Sequence, residues 1–159
     1  MSISKSIIGR REWASLPEFG LKNVKVKIDT GAYSSSIHAS LIEENNGVLY
    51  VVFLDSNHPD FQNTPYSFKD FRIKKVKSSN GIVQERYFIK TIILLGSRKI
   101  KTEFSLTQRK GMRYPILIGR KLLNKRFVID TSLKYTLNQN SWKLEYYPEI
   151  QIYTQRVGY

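Results

Sequence analysis

Apolar side chains recur at every second position in short runs along this chain, and turn residues cut each run off. That period limits the fold to β-structure. Val24, Val26 and Ile28 alternate with Lys25 and Lys27, the pattern of a half-buried strand. Ser34–Ala39, Arg72–Lys77, Val83–Leu95, Ile100–Thr107, Phe127–Asp130, Tyr135–Leu137 and Trp142–Tyr147 also read as strands, and Val48–Leu54 and Pro115–Gly119 as buried ones. Only Arg120–Lys125 reads as a helix. Glu43–Gly47 and Gly96-Ser97 are turns, and Asn80-Gly81 between two strand-like runs is the strongest hairpin signal. Ile7–Gly20 reads as an irregular lead-in anchored by Trp13, Leu16 and Phe19, and Asp55–Asp70 as a long surface loop. The absence of a repeat or linker predicts one all-β domain over residues 1–159, a small barrel or sandwich.

The chain has no cysteine, which excludes disulfides and thiolate metal sites and is compatible with a reducing compartment. Met1–Arg11 holds only the apolar pair Ile7-Ile8, and no run reaches membrane-spanning length. The expectation is a soluble, cytoplasmic protein. The formal charge is +13, from 26 Lys and Arg against 13 Asp and Glu. Such a field attracts polyanions. Basic residues cluster at Arg72–Lys77, Arg98–Lys101, Arg109–Arg113 and Arg120–Arg126.

The chemistry centres on Asp29-Thr30-Gly31-Ala32, where the Val24–Ile28 strand delivers a carboxylate into a turn. Gly31 is expected to take a conformation that a Cβ would resist, and the Thr30 hydroxyl to brace the turn. A carboxylate held this way suits activation of a water. The same residues also fit an ordinary Asx turn at a strand end.

In chain order, Asp29-Thr30-Gly31-Ala32, a hairpin with its tip at Ser78–Gly81, and Ile116-Leu117-Ile118-Gly119-Arg120 resemble the retropepsins, single-lobed aspartic peptidases. The resemblance implies a closed acid-protease barrel with one short helix, a flap over the substrate, and the Gly-Arg segment packed beside the catalytic turn. Ile8-Gly9-Arg10-Arg11-Glu12-Trp13, Leu16-Pro17-Glu18-Phe19-Gly20, Ser36-Ile37-His38-Ala39, Val76–Gly81 with Glu85-Arg86, Leu106–Arg109 and Phe127–Asp130 extend the likeness to a family labelled ATP-dependent zinc protease. Its members often accompany a ligase that adds glutamates to a ribosomal protein, so the resemblance suggests cleavage of glutamate-rich tails.

The residues argue against both qualifiers in that label. There is no His-Glu-x-x-His, the only histidines are His38 and His58, and no phosphate-binding glycine loop is present. No metal and no cofactor is expected. In retropepsins an acid commonly follows the Asp-Thr-Gly-Ala and pairs with the Gly-Arg arginine, but here that position is Tyr33. Arg120 is then left either to pair with Glu12 or another acid, or to take a substrate carboxylate.

The resemblance implies catalytic roles for Asp29, Thr30 and Gly31, and substrate contacts for Ala32, His38, Lys77, Ser78, Ser79, Asn80, Arg86 and Arg120. Each has a plainer reading. The tip residues suit a turn, Lys77 and Arg86 suit solvated edge charges, and His38 suits a hydrogen-bonded residue on a barrel strand. The combined expectation is an aspartic endopeptidase acting as a homodimer on acidic peptides, because one Asp-Thr-Gly supplies one carboxylate and the water-activating pair needs two. Asp130 or Glu12 would be the first candidates if the second acid came from the same chain. The rival is a non-catalytic basic barrel that binds nucleic acid through Lys and Arg, with ten Tyr and eight Phe available for stacking.

Overall fold

The computed structural model describes residues 4–77, 80–109 and 113–137. Its elements are β1 (Ser6–Ile8), β2 (Arg11–Leu16), a 3-10 turn (Pro17–Phe19), β3 (Leu21–Ile28), β4 (Ser35–Asn45), β5 (Val48–Phe53), β6 (Pro65–Phe68), β7 (Arg72–Lys77), β8 (Val83–Leu95), β9 (Arg98–Thr107), β10 (Ile116–Ile118), α1 (Arg120–Leu123) and β11 (Phe127–Ile129). The expected all-β barrel with one short helix is what forms.

Closure depends on β10. The main sheet runs β10-β3-β2-β8-β9-β4, and β10 pairs back onto β4. Six strands therefore close on themselves, which removes the exposed edges of an open sheet. β10 lies parallel to β3, with Ile118 opposite Ile28, and antiparallel to β4, with Ile116 opposite Ile37. Between the two neighbouring strands Ile116 and Ile118 are fully buried. They fill the interior with Val26, Ile37, Phe104 and Leu106.

Beyond the barrel, β4 continues into a hairpin with β5, and β6 adds to β5. The turn is Asn46-Gly47, narrower than the expected Glu43–Gly47. Both residues have positive φ, the conformation a two-residue hairpin of type I′ requires. Phe19, Phe53, Tyr66 and Phe68 form an aromatic cluster, with Phe19 and Phe53 stacked at 4.2 Å between ring centres. β7 and β8 form the expected long hairpin, with Lys77 opposite Val83. Asn80 and Gly81 lie in its tip, while Ser78 and Ser79, like the strand expected at Trp142–Tyr147, lie outside the described residues.

Three expectations change. The irregular lead-in contains β2, whose inward positions include Glu12 and Ser15; a buried acid and a buried hydroxyl break the apolar period by which a strand is read. The Asp55–Asp70 loop contains β6. Tyr135–Leu137 is no strand: its backbone is held by the Glu12 carboxylate. Glu12 is fully buried and accepts from the Gly9 amide at 3.0 Å, the Thr136 amide at 3.1 Å, the Thr136 hydroxyl at 2.9 Å and the Leu137 amide at 3.3 Å.

Candidate active site

β3 ends at Asp29, and β10 fixes the exit. The Asp29 amide donates to the Ile118 carbonyl at 2.8 Å. The chain then turns tightly, with the Gly31 amide donating to Asp29 Oδ1 at 3.1 Å and the Ala32 amide to the Asp29 carbonyl at 3.3 Å. Gly31 packs closely on the carboxylate. Its φ lies outside the left-handed region, contrary to expectation, but a Cβ there would sit 3.3 Å from Asp29 Oδ1. The carboxylate keeps one oxygen turned back on the turn, and the whole group remains partly exposed.

The segment after β10 locks the turn from below. The Arg120 amide donates to the Ala32 carbonyl and the Lys121 amide to the Tyr33 carbonyl, each at 2.9 Å. The Gly119 amide donates to the buried Ser35 hydroxyl at 3.0 Å. Only glycine fits at 119, because a Cβ would meet the Ser34 and Tyr33 backbone at 2.7 Å. Arg120 closes the arrangement, donating from Nη1 to the Thr30 carbonyl at 3.0 Å and lying 5.9 Å from the centre of the Tyr33 ring.

Arg120 and Glu12 do not pair, because the acceptors of Glu12 are filled by the 136–137 segment and Gly9. Among the described residues no carboxylate lies within 4.0 Å of Arg120. Tyr33 answers the missing acid with a ring face, on which a guanidinium can rest. Thr30 braces the turn through its carbonyl; among the described residues its hydroxyl has no partner. Glu12 is ruled out as a second catalytic acid by the same hydrogen bonds. Asp130 accepts from the Ser132 amide and hydroxyl, at 2.9 and 2.6 Å, and these bonds hold its carboxyl below the usual range.

The other expected residues fall into two further places. Asn80 and Arg86 line an open cleft with Ile82, Thr107, Gln108 and Arg109, between the β7–β8 hairpin and the end of β9. Lys77 is exposed at the end of β7. Burial in the cleft lowers the Arg86 pKa, and the neighbouring positive charge of Arg109 lowers it further. Two guanidiniums thus share the cleft, Arg86 half-buried and Arg109 exposed, and among the described residues neither has an ion-pair partner.

His38 is 2% exposed and ties three segments together. The Arg109 amide lies 3.0 Å from its Nδ1. An amide only donates, so Nδ1 accepts, the Thr107 carbonyl at 3.2 Å is a contact without a proton, and the ring hydrogen sits on Nε2, 2.8 Å from Asp55 Oδ2. The Asn57 amide is the main cause of a lowered Asp55 pKa; burial opposes it and the His38 bond adds to it. His38 also borders a separate cavity of about 480 Å³ with Trp13, Lys25, Asp55 and His58. These donors do not fit a zinc ion. Both nitrogens of His38 are engaged, and among the described residues no three His, Asp or Glu side chains gather as a metal would need.

Sequence reasoning missed Ser35, Asp55 and Arg109 as parts of this framework. Ser35 read as one of three serines on a strand, and nothing in the chain marks which of them meets Gly119. Arg109 stood in a basic run with Arg113, whose guanidinium lies over the Tyr114 ring instead.

Comparison with known proteins follows the same lines. A family model described as retropepsin-like aspartic endopeptidase RimB matches residues 7–140. A protein named "Probable alpha-L-glutamate ligase" from Shewanella halifaxensis is 35% identical over 148 residues, covering 89% of this chain and 32% of that protein. One of the same name from Desulfotalea psychrophila is 33% identical over 145 residues, covering 87% and 31%. The chain thus spans about a third of the length of these relatives. The crystal structure of a Legionella pneumophila protein of unknown function superposes with a TM-score of 0.64 at 30% identity, over 84% of this chain and 98% of that one. With the Asp29 turn, the Gly119-Arg120 lock and the six-strand barrel all in place, the chain belongs to the RimB-like family of retropepsin-like aspartic endopeptidases.

Proposed function

We propose that this chain is an aspartic endopeptidase that works as a homodimer in the cytoplasm and cuts glutamate-rich peptide tails. The observation that carries the reading is the state of Asp29: a partly exposed carboxylate at the end of a closed-barrel strand, held by one amide and braced from three sides. Positioning of that kind favours acid–base chemistry over packing.

The second carboxylate comes from Asp29 of a two-fold related subunit. Two carboxyls sharing a site hold one proton between them. The ionised one takes a proton from a water, the water oxygen attacks the peptide carbonyl, and the protonated one donates to the carbonyl oxygen. Collapse of the tetrahedral intermediate returns a proton to the leaving amine. Thr30 and Gly31 hold the geometry, and among the described residues the exposed Thr30 hydroxyl has no partner.

Acidic specificity is supported by the Arg86–Arg109 cleft, where a glutamate side chain would relieve the repulsion between two guanidiniums. Lys77 and Asn80 at the end of the β7–β8 hairpin, with Ser78 and Ser79 between them in sequence, would cover the peptide, with Ala32 near its path and Arg120 at the turn; His38, buried with both nitrogens engaged, would position the Arg109 segment. Relatives named glutamate ligase, which contain a segment like this chain, support a role in the same glutamate chemistry. The absence of cysteine fits a reducing compartment. Among the described residues no helix is long and apolar enough to cross a membrane.

Activity per chain, measured on an oligoglutamate peptide across a dilution series with sedimentation in parallel, should fall as dimers dissociate. Undiminished activity from a sedimenting monomer would refute the shared site.

A further inference from the structure

Three of the basic runs in the sequence meet on one face of the barrel, at a cavity that shares no lining residue with the Arg86 cleft. Lys90 on β8 is the direct partner of Glu103 on β9, and Ile92 of Lys101, so Lys90, Lys101 and Glu103 point to the same side of the sheet. From β7, Arg72 donates to Glu103 at 2.6 and 2.9 Å and Lys74 at 3.1 Å. From α1, the Lys121 ammonium stands 3.7 Å from the same carboxylate. Lys90, Lys101, Thr102, Glu103, Lys121 and Arg126 line an open cavity of about 460 Å³.

Among the described residues Glu103 is the one carboxylate in this lining, and Arg72, Lys74 and Lys121 already answer it. Among the described residues, Lys90, Lys101 and Arg126 have no carboxylate within ion-pair distance. Like charges held around one cavity by two strands, a helix and the turn after it repel one another until an anion enters.

We propose that this cavity binds phosphoryl groups, supplied by a nucleic-acid backbone or by a free polyphosphate. Lysine ammoniums approaching from several sides suit a tetrahedral anion with three acceptor oxygens. A planar carboxylate carries one charge and is matched by an arginine fork, and the one arginine among the described lining residues, Arg126, already spends Nη1 on the Leu122 carbonyl. Among the described residues no aromatic side chain lines the cavity, so they offer bases no stacking face, and the contact senses charge rather than sequence. None of this rests on the peptidase reading.

The test is a set of titrations of the full chain with a short single-stranded RNA, with inorganic tripolyphosphate as competitor and with an oligoglutamate of matched charge. The variants are Lys90→Gln/Lys101→Gln, the single Lys101→Gln and Arg86→Ala. Both lysines are exposed, and circular dichroism checks the fold. RNA affinity should fall about tenfold or more in the double variant, with the salt slope reduced by about one for each lysine removed; the single variant should show the smaller slope change alone. Arg86→Ala should leave RNA binding as it is. Displacement of RNA by tripolyphosphate assigns the site to phosphate in general, and RNA binding that resists it assigns the site to the polymer backbone. The proposal is overturned if the double variant binds RNA like the native chain, if Arg86→Ala removes the binding instead, or if oligoglutamate binds as tightly as RNA and loses as much.

Discussion

Two carboxylates on neighbouring strands of this barrel have opposite surroundings. Glu12 on β2 sits beside Val26 of β3 in the strand register, and Asp29 lies just past the end of that same β3. Glu12 is fully buried and accepts hydrogen bonds from Gly9, Thr136 and Leu137. Asp29 is partly exposed and accepts one, from Gly31. A carboxylate with its acceptors filled by backbone ties distant segments together and has no lone pair to offer a water. One that is held at a single oxygen keeps its acid–base capacity. The difference lies in what surrounds each carboxylate, since both follow from strands of the same sheet.

The largest expected effect falls on Asp29. Asp29→Asn keeps the volume and the turn but removes the titratable acid–base group, so cleavage of an oligoglutamate should drop by about 10²–10⁴-fold, with the melting temperature close to that of the native chain. Glu12→Gln should do the reverse. The new amide group points donors at donors, costing about 1–3 kcal/mol for the strained buried site, while the folded fraction keeps its turnover. Denaturant unfolding alongside peptide cleavage checks both. An Asp29→Asn chain that cuts at the native rate, or a Glu12→Gln chain of native stability, would dissolve the contrast.

Next comes the contrast between two arginines. Arg120 braces the Asp29 turn through the Thr30 carbonyl, so Arg120→Ala should lower cleavage of glutamate and glutamine peptides alike. Arg86 shares its cleft with Arg109. A charge-assisted bond shielded from water is worth about 1.5–3 kcal/mol, so Arg86→Ala should lower kcat/KM on the glutamate peptide by about 10–100-fold relative to its glutamine counterpart. Equal losses on the two peptides would remove Arg86 from substrate recognition.

The barrel and the Asp-Thr-Gly turn were legible because both are written locally: alternation along a few residues, or a motif of three. The parts that were not legible depend on contacts between distant residues. β2 hides behind Glu12 and Ser15, whose inward placement makes sense only once the 136–137 segment and Asn23 supply their partners. The Tyr135–Leu137 run looks like a strand by composition, yet a carboxylate more than a hundred residues earlier in the chain claims its amides. Ser35 meets Gly119 across 84 positions, and nothing local distinguishes it from Ser34 or Ser36. The Arg86–Arg109 pairing and the convergence on Glu103 likewise arise from strand register, which periodicity alone leaves open.

A smaller effect would sharpen the comparison with a third carboxylate. Burial pushes the Glu103 pKa up, but hydrogen bonds from Arg72 and Lys74, with their charges, outweigh it and leave the carboxyl below its ordinary 4.5. In the unfolded chain Glu103 regains that ordinary value. Between the two values the unfolded chain binds more protons than the folded one, so stability rises with pH there. The Glu103 contribution is therefore fully present above 4.5 and is lost as pH falls through the lowered folded value. Asp55, held low chiefly by the Asn57 amide, adds a loss of the same sign below 3.8. Urea midpoints of the native chain and of Glu103→Gln, measured from neutral pH downward, should differ most at neutral pH and converge as the acid is reached. Arg72 and Lys74 are partly solvated, so the gap at neutral pH should be modest, about 1–2 kcal/mol. A gap that stays constant through the acid range would mean that Glu103 stabilises the barrel by packing, and that the cations around it are held in place without its charge.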